Sequence, residues 1–466
     1  MGVEKELVRH LVGCRFEDIP PVTIEKQKAL FVDTLGVAVG GVRASGVQAM
    51  LDVITEAGGR PESTVIGRKE KAPSFLAAMG NTFMAHALDF DDMHEEAGIH
   101  ANVCVIPAAL AVAEKMGGIK GNALLTAVIC GVDLACRMGV SIPLLRGWHA
   151  TTTFGIFGAA AAACKILALD EIRTASALGI AYSQSAGNRQ GRLEGTLTKR
   201  IQVALAVKSG VLAALLAQKG LTGPTRIIEG DWGMLNLYID QDQMEKRKRA
   251  AYSLVKDLGR HFLGDELSIK PYPSCKATHT AIHNVLALRS GHQLQSEDVE
   301  QVTVSVSNGA YQTVGRPFEI RTEAQVDAQF SIPYTVATAL LTGKVGPGDF
   351  REETIRDPRR MELAKRVKVV VDPSLQEPST TVVNQASSVE IKARSGNYVS
   401  TSGTSKGHPE NPMTGDELFS KFLECFRFGL PELASVERVR DIFNTLMKME
   451  KVEDAGQITG LLSFEQ

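Results

Sequence analysis

Gly80-Asn-Thr-Phe-Met-Ala-His86-Ala-Leu-Asp89-Phe-Asp91-Asp92-Met93-His94-Glu95-Glu-Ala-Gly98-Ile-His100-Ala-Asn-Val-Cys104-Val-Ile-Pro-Ala-Ala-Leu-Ala-Val-Ala113 is the stretch on which the rest of the chain turns. Three aspartates (Asp89, Asp91, Asp92) and three histidines (His86, His94, His100) fall within fifteen residues, between runs of small and apolar residues of helical type. Each unpaired charge taken out of water costs several kcal/mol, so a titratable knot between two buried helices needs a reason. Carboxylates with imidazoles suit a divalent metal, or acid/base work on an organic substrate. A third reading is a loop in which Asp caps a helix and the histidines face solvent. His94-Glu95 begins like a zinc-binding His-Glu-x-x-His, but Gly98 stands in the fifth position and the motif fails.

Outward from this stretch, residues 1–265 read almost wholly as helices. Thr23, after Pro20-Pro21, is a plausible N-cap for a helix carrying Ile24, Phe31, Leu35 and Ala38. Further helices are expected at about 72–88, 104–117, 120–138, 155–168, 172–186 and 199–219. Several are rich in Ala and Gly, which lets helix axes come close and predicts a compact bundle. Gly220 to Gly233 marks a loop, followed by a charged segment, Gln243–Arg249. Near 265 the pattern changes. Val302, Val304 and Val306 alternate with Thr and Ser, and Arg366–Asp372 and Val389–Arg394 are two more strands, with a helix at Phe330–Leu341 between. The expected fold is therefore mainly α. Residues 1–265, completed by 410–466, form a large helical domain, and residues 266–409 form a smaller α+β lid domain inserted before the C-terminal helices.

The 466 residues, 44% hydrophobic and 22% charged, suit a globular protein of more than one core. A net charge of -2 offers no field for nucleic acid or an anionic membrane. Seven cysteines are scattered singly with no Cys-x-x-Cys, which points to buried, reduced thiols and a cytoplasmic location. The charged start, Met1-Gly-Val-Glu-Lys-Glu6, lacks an apolar signal core, and no run of about 18 apolar residues suggests a membrane span. Neither a dinucleotide nor a phosphate-binding glycine motif occurs, so no nucleotide cofactor is signalled. Gly403-Thr-Ser-Lys-Gly407 fits Gly-x-Ser-x-Gly only formally, since no buried strand leads into it.

Three other stretches set ionisable groups among apolar ones: Gly147-Trp-His149-Ala-Thr151, Thr198-Lys199-Arg200 at a helix start, and Lys270-Pro-Tyr-Pro-Ser-Cys275-Lys-Ala-Thr-His279 at the domain junction. A helix N-terminus favours anions, and clefts between domains commonly hold small ligands.

Taken in order, these motifs resemble the signatures of the 2-methylcitrate dehydratase (MmgE/PrpD) family. Gln329-Phe-Ser-Ile-Pro-Tyr334 and Gly407-His-Pro-Glu-Asn-Pro412 match as well, so the resemblance runs nearly end to end. It implies a helical domain with an α+β insertion, a homodimer, and chemistry without metal or other cofactor on a small polycarboxylate. Carried over, the site would use Asp89, His100, His149, Lys199 and Tyr311 as catalytic groups. Lys270, Arg200, Arg189, Arg192, Cys275 and His279 would bind substrate. Such chemistry removes a barely acidic proton α to a carboxylate, so cations must stabilise the enolate-like intermediate and a tuned base must face the carbon. Replacing Lys199 or Lys270 by Ala should weaken turnover strongly and leave folding nearly unaffected. Family members dehydrate, decarboxylate or epimerise. Met93 stands where relatives carry Thr, Ala101 where they carry Pro, and Cys275 where decarboxylase relatives carry His. A missing hydroxyl matters least where nothing leaves, and Arg189 and Arg192 would suit a substrate with four carboxylates. The expectation is epimerisation of iminodisuccinate. The alternatives are a 2-methylcitrate-type dehydratase, a cis-aconitate-type decarboxylase, or a non-catalytic carboxylate binder.

Overall fold

The computed structural model describes residues 2–142, 144, 147–240, 242–375 and 384–463. The chain is mainly helical. Buried apolar side chains gather in two large clusters. One runs from Val3 to Leu267 and resumes from Leu418 to Leu462; the other lies within Ala277–Ala393. The returning helix Gly415–Gly429 packs along Pro21–Gly41, so the end of the chain completes the first cluster. Thr414 and Glu417 start that helix with a reciprocal capping box.

In the first cluster the central helices are Ser74–Ala87, Asn102–Met116, Gly121–Ser141, Ala150–Ile166 and Thr198–Gln218. Their small residues work as expected. A Cβ on Gly131 would sit 2.6 Å from the Gly158 carbonyl, and one on Gly210 would sit 2.6 Å from that of Ile156, so the backbones nearly touch. Gly121–Ser141 and Thr198–Gln218 are long and apolar enough to cross a membrane by length and composition, and 83% of the apolar window of the first is buried inside the protein. One local expectation fails, and one segment left unassigned by the sequence is helical. Thr23 does not cap helix Pro21–Gly41, which begins with Pro21 itself; its hydroxyl instead donates to Asp265 at 2.8 Å. The charged stretch near 243–249 is the start of a helix, Met244–Val255, whose Ala250 and Leu254 are buried.

The second cluster wraps a four-stranded sheet. Strands β1 (Val299–Val306), β2 (Val367–Val371), β3 (Ser387–Ala393) and β4 (Gly396–Ser402) lie in the order β2-β1-β3-β4. β1 runs parallel to β2 and antiparallel to β3; Val304 is opposite Val369 on one side and Val389 on the other. The parallel pair needs a long crossover, which the helices Ala324–Gln329, Ile332–Thr342 and Pro358–Lys365 supply. A two-residue ladder, Met93–His94 against Leu267–Ser268, ties the aspartate-rich loop to the segment that leads into Lys270.

Candidate active site

Helix Ser74–Ala87 stops at Leu88, and Asp89 takes a left-handed backbone, φ 50°. Asp is one of the few non-glycine residues enriched there. The chain folds back under the helix end, and Asp89, Asp91, Asp92, His86, His94 and His100 are all buried, so the solvent-facing reading of these histidines does not hold.

Two lysines converge on Asp89. Lys199, in the first turn of Thr198–Gln218, lies 2.5 Å from Asp89 Oδ1 and 3.0 Å from His86 Nε2. Lys270 donates to the Asp89 carbonyl at 2.8 Å and lies 3.3 Å from Oδ2. Burial alone would raise the Asp89 carboxyl, but Lys199 and Lys270 outweigh it and hold the group well below the usual carboxylate range. Burial likewise favours neutral Lys270, yet Asp89 and Asp91 prevail and raise it.

The two histidines of the cavity differ in which nitrogen carries the proton. His100 Nδ1 lies 2.7 Å from the Asp92 carbonyl and 3.1 Å from Asp91 Oδ2. A carbonyl only accepts, so Nδ1 donates, and the lone pair of the neutral ring is on Nε2. His149 is the reverse. The Asn188 N–H donates to Gln202 Oε1 at 3.0 Å, and Gln202 Nε2 donates to the Asn188 carbonyl, which fixes that amide's orientation. Gln202 Nε2 therefore donates to His149 Nδ1 at 3.0 Å, with the Thr152 hydroxyl 2.7 Å from the same nitrogen. Neutral His149 must carry its proton on Nε2. Burial, reinforced by Lys199, holds it neutral, well below the usual histidine value.

Asp89, His100, His149, Lys199, Lys270, Arg189, Arg192 and Cys275 line one cavity, together with Met93, Glu95, Gln202, Lys276, Thr313 and Phe330. Residues within 89–202 of the helical part of the chain thus meet residues within 270–385 there. Among the described lining residues, five are cationic and two are carboxylates. One carboxylate, Glu95, is already 3.3 Å from Lys276 and accepts from Ser268 at 2.8 Å. Burial pulls the Arg189 and Arg192 guanidinium groups down from their usual range, and Arg192 and Lys199 lie 5.8 and 5.5 Å from the Phe330 ring centre. Desolvated cations in excess over their protein partners suit a ligand with several negative charges. Burial raises the Cys275 thiol, which favours a neutral thiol over a thiolate.

Three expected residues stand elsewhere. Tyr311 lines a different cavity, with Phe318, Pro333 and Met361. Its helix, Asn308–Val314, turns about 100° per residue, so Thr313 facing the site carries Tyr311 to the far side. Arg200 is rotated off the cavity by the same geometry and reaches the Ser45 carbonyl and Gln325, both at 3.4 Å. His279 is buried at the start of helix His279–His292, with Nε2 3.1 Å from the Ser274 carbonyl.

Sequence reasoning passed over Gln202, although its position three residues after Lys199 places it on the same helix face. His86 and Asp91 lie in the cluster that the sequence marks for metal or acid/base chemistry, but neither is among the residues that the resemblance assigns to the site. His86, Asp91 and His100 each bring a ligand atom within 4.8 Å of the others, a set that could hold a cation. The Asp92 carbonyl at 2.7 Å from His100 Nδ1 is the acceptor of an N–H, and we read the set as hydrogen bonded.

A mainly helical protein with a polycationic, imidazole-bearing cavity lined from both halves of the chain is the class these features define. The MmgE/PrpD N-terminal domain model matches residues 5–247, and the MmgE/PrpD C-terminal domain model matches 272–445. The chain belongs to the MmgE/PrpD family. Its relatives include the cis-aconitate decarboxylases of Homo sapiens, 25% identical over 97% of this chain and 92% of the relative, and of Aspergillus terreus, 24% identical over 99% and 96%. The 2-methylcitrate dehydratase of Salmonella typhimurium is 21% identical over 45% of this chain and 41% of its own length.

Proposed function

We propose that this chain is a lyase that works by proton transfer at a carbon α to a carboxylate of a small di- or tricarboxylate, using its own side chains. The observation that carries the reading is the pairing of His100, with a lone pair on Nε2, and His149, with a proton on Nε2, in one cation-rich cavity. Lys199, Lys270, Arg189 and Arg192 hold the substrate carboxylates and stabilise the charge of the enolate-like intermediate. His100 is the base, and Asp91 stabilises the imidazolium that forms when it takes a proton. His149 is the acid.

Loss of carbon dioxide is the favoured outcome. The C–C bond to the departing carboxylate breaks, its electron pair stays on the substrate carbon beside the lysines, and that carbanion takes the Nε2 proton of His149. His100 acts as base where the route first removes an α-proton. The relatives matched along nearly their whole length are named cis-aconitate decarboxylases, whereas the dehydratase match covers under half of either chain. Met93 lines the cavity where a hydroxyl would assist a leaving hydroxide, which also disfavours dehydration.

A second reading, epimerisation of iminodisuccinate, rests on Met93 and on Cys275 in place of a decarboxylase histidine. There His100 removes the α-proton and His149 returns one. Incubation in deuterated water with cis-aconitate, 2-methylcitrate and iminodisuccinate separates the outcomes by NMR. Carbon dioxide release from cis-aconitate supports the lyase. Deuterium entering iminodisuccinate with inversion and no loss of mass replaces it with the epimerase, and no reaction with any of the three overturns both.

A further inference from the structure

Behind the cavity wall, Lys199, His86, Asp91 and His100 form a continuous line of polar contacts. His86 itself does not line the cavity, and its side chain is wholly enclosed. Both of its ring nitrogens are in use. A lysine ammonium has only donors, so the 3.0 Å contact from Lys199 Nζ makes Nε2 an acceptor. An ionised carboxylate only accepts, so the 2.7 Å contact to Asp91 Oδ2 makes Nδ1 the donor. The same Asp91 oxygen lies 3.1 Å from His100 Nδ1, while Asp91 Oδ1 is buried with no hydrogen-bond partner. One carboxylate oxygen is thus shared by two imidazoles.

We infer that His86 is a positioning residue for two cavity groups at once: through Nε2 it aims Lys199, and through Nδ1 it divides the charge of Asp91 with His100 and so sets how readily His100 takes a proton. Lys199 has three N–H groups. Asp89 takes one and His86 a second, which leaves one for the cavity. The charged and titratable groups around His86 are Asp91, Lys199 and His100, with the His100 ring centre at 5.0 Å and that of His149 at 6.4 Å, and Asp89 beyond Lys199. Burial, with help from Lys199, pulls His86 to about 4 against the pull of Asp91, so the ring stays neutral and both contacts persist at neutral pH.

This inference rests on the proposed reading of the cavity as a proton-transfer site, and two variants separate its halves. In His86→Gln the amide oxygen reaches the Nε2 position and still accepts from Lys199, but Asp91 loses a donor. More of its charge then falls on His100, and the acidic limb of kcat/KM moves up by about one pH unit. In His86→Asn the amide nitrogen takes the Nδ1 position and still donates to Asp91, but Lys199 loses its guide. The limb stays in place, and the affinity for 1,2,3-propanetricarboxylate, measured by calorimetry, falls at least about tenfold. A merely structural role would lower kcat without moving the limb. Imidazole 15N NMR of the unaltered protein should show neutral His86 protonated on Nδ1 from pH 5 to 8, and this result depends on no substrate and on no variant folding. A cationic His86, a proton on Nε2, or two folded variants with unchanged limb and affinity each overturn the inference. Correct protonation and weakened tricarboxylate binding, with no turnover of any candidate acid, would leave the positioning role standing and sink the proposed reaction instead.

Discussion

Asp133 and Arg137 sit one turn apart on helix Gly121–Ser141, and both are buried, as Asp89, Lys199 and Lys270 are nearly so at the cavity. Around the first pair every strong donor and acceptor is matched by protein. Arg137 Nε meets Asp133 at 2.6 Å, its Nη atoms donate to the carbonyls of Lys256 and His261, and the Leu263 N–H donates to Asp133 at 2.8 Å. Neither residue lines the cavity. The second group is left incomplete: two ammonium groups share one carboxylate and border the cavity with unused donor capacity. Equal burial therefore serves two ends. A saturated ion pair locks helix to loop, whereas an unsaturated one is held ready for a ligand that completes it.

Replacing Arg137 with Met should give the largest change. It strands a buried aspartate and costs about 3–5 kcal/mol of stability. Urea unfolding measures this, and tricarboxylate affinity in the folded protein should be unchanged. A variant as stable as the parent would erase the distinction drawn here.

Lys270→Met should act on both sides of the comparison. Turnover falls by about 2–4 kcal/mol of lost transition-state stabilisation, roughly thirty- to thousand-fold. Because Lys270 is fully buried beside Asp89, its loss should also lower stability, against the sequence-based expectation that folding is nearly untouched. Lys199 remains to neutralise Asp89, so the stability loss should be smaller than that of Arg137→Met. The reverse order of the two unfolding free energies would contradict this.

His149→Gln keeps an N–H near the cavity but no proton to give. Steady-state kinetics should show kcat lowered by about a hundredfold with KM little changed. A change confined to KM would make His149 a binding group.

The smallest effect is one of pH. Burial, then the charge of Asp91, pushes the Asp92 carboxyl up to about 7, and burial pushes Asp33 to about 6. Unfolded, an aspartate titrates near about 3.9. The fold therefore prefers these two groups protonated; their contribution is complete below about pH 4 and is lost as pH rises towards 6 or 7. Asp89 and Asp91 are shifted the other way, and theirs is lost as pH falls below about 4. Asp92→Asn mimics the protonated acid, so the drop in urea midpoint between pH 5 and pH 7.5 should shrink. An unchanged drop would mean that Asp92 is ionised in the folded protein.

Helices such as Asn102–Met116 and Ala150–Ile166 were legible as long runs of small and apolar residues, which packing buries nearly all round, and strand β1 as an alternation of apolar and polar residues. It was silent on β4, whose burial alternates only weakly, and on Met244–Val255, whose charges hide a two-residue buried edge. In the site, the motif residues were visible as unexpected charges among apolar neighbours. Tyr311 was misplaced because a motif names a residue but not the face of its helix. His86 was undervalued because its importance lies in the direction of two hydrogen bonds, which no spacing in the sequence encodes. Cys14 and Cys130, read as isolated thiols, lie close together beside His10, a proximity set by tertiary packing alone.

The short ladder between Met93–His94 and Leu267–Ser268 has a kinetic meaning. It joins segments that nearly the whole helical body separates along the chain, so closing it is slow compared with forming the local helices around it. Lys270 follows immediately, and without it Asp89 lacks its second cation. A nascent or partly refolded chain can thus recover most of its helix while its cavity stays open and its carboxylate under-neutralised. Helical circular dichroism should return in an early phase and catalytic competence in a later one.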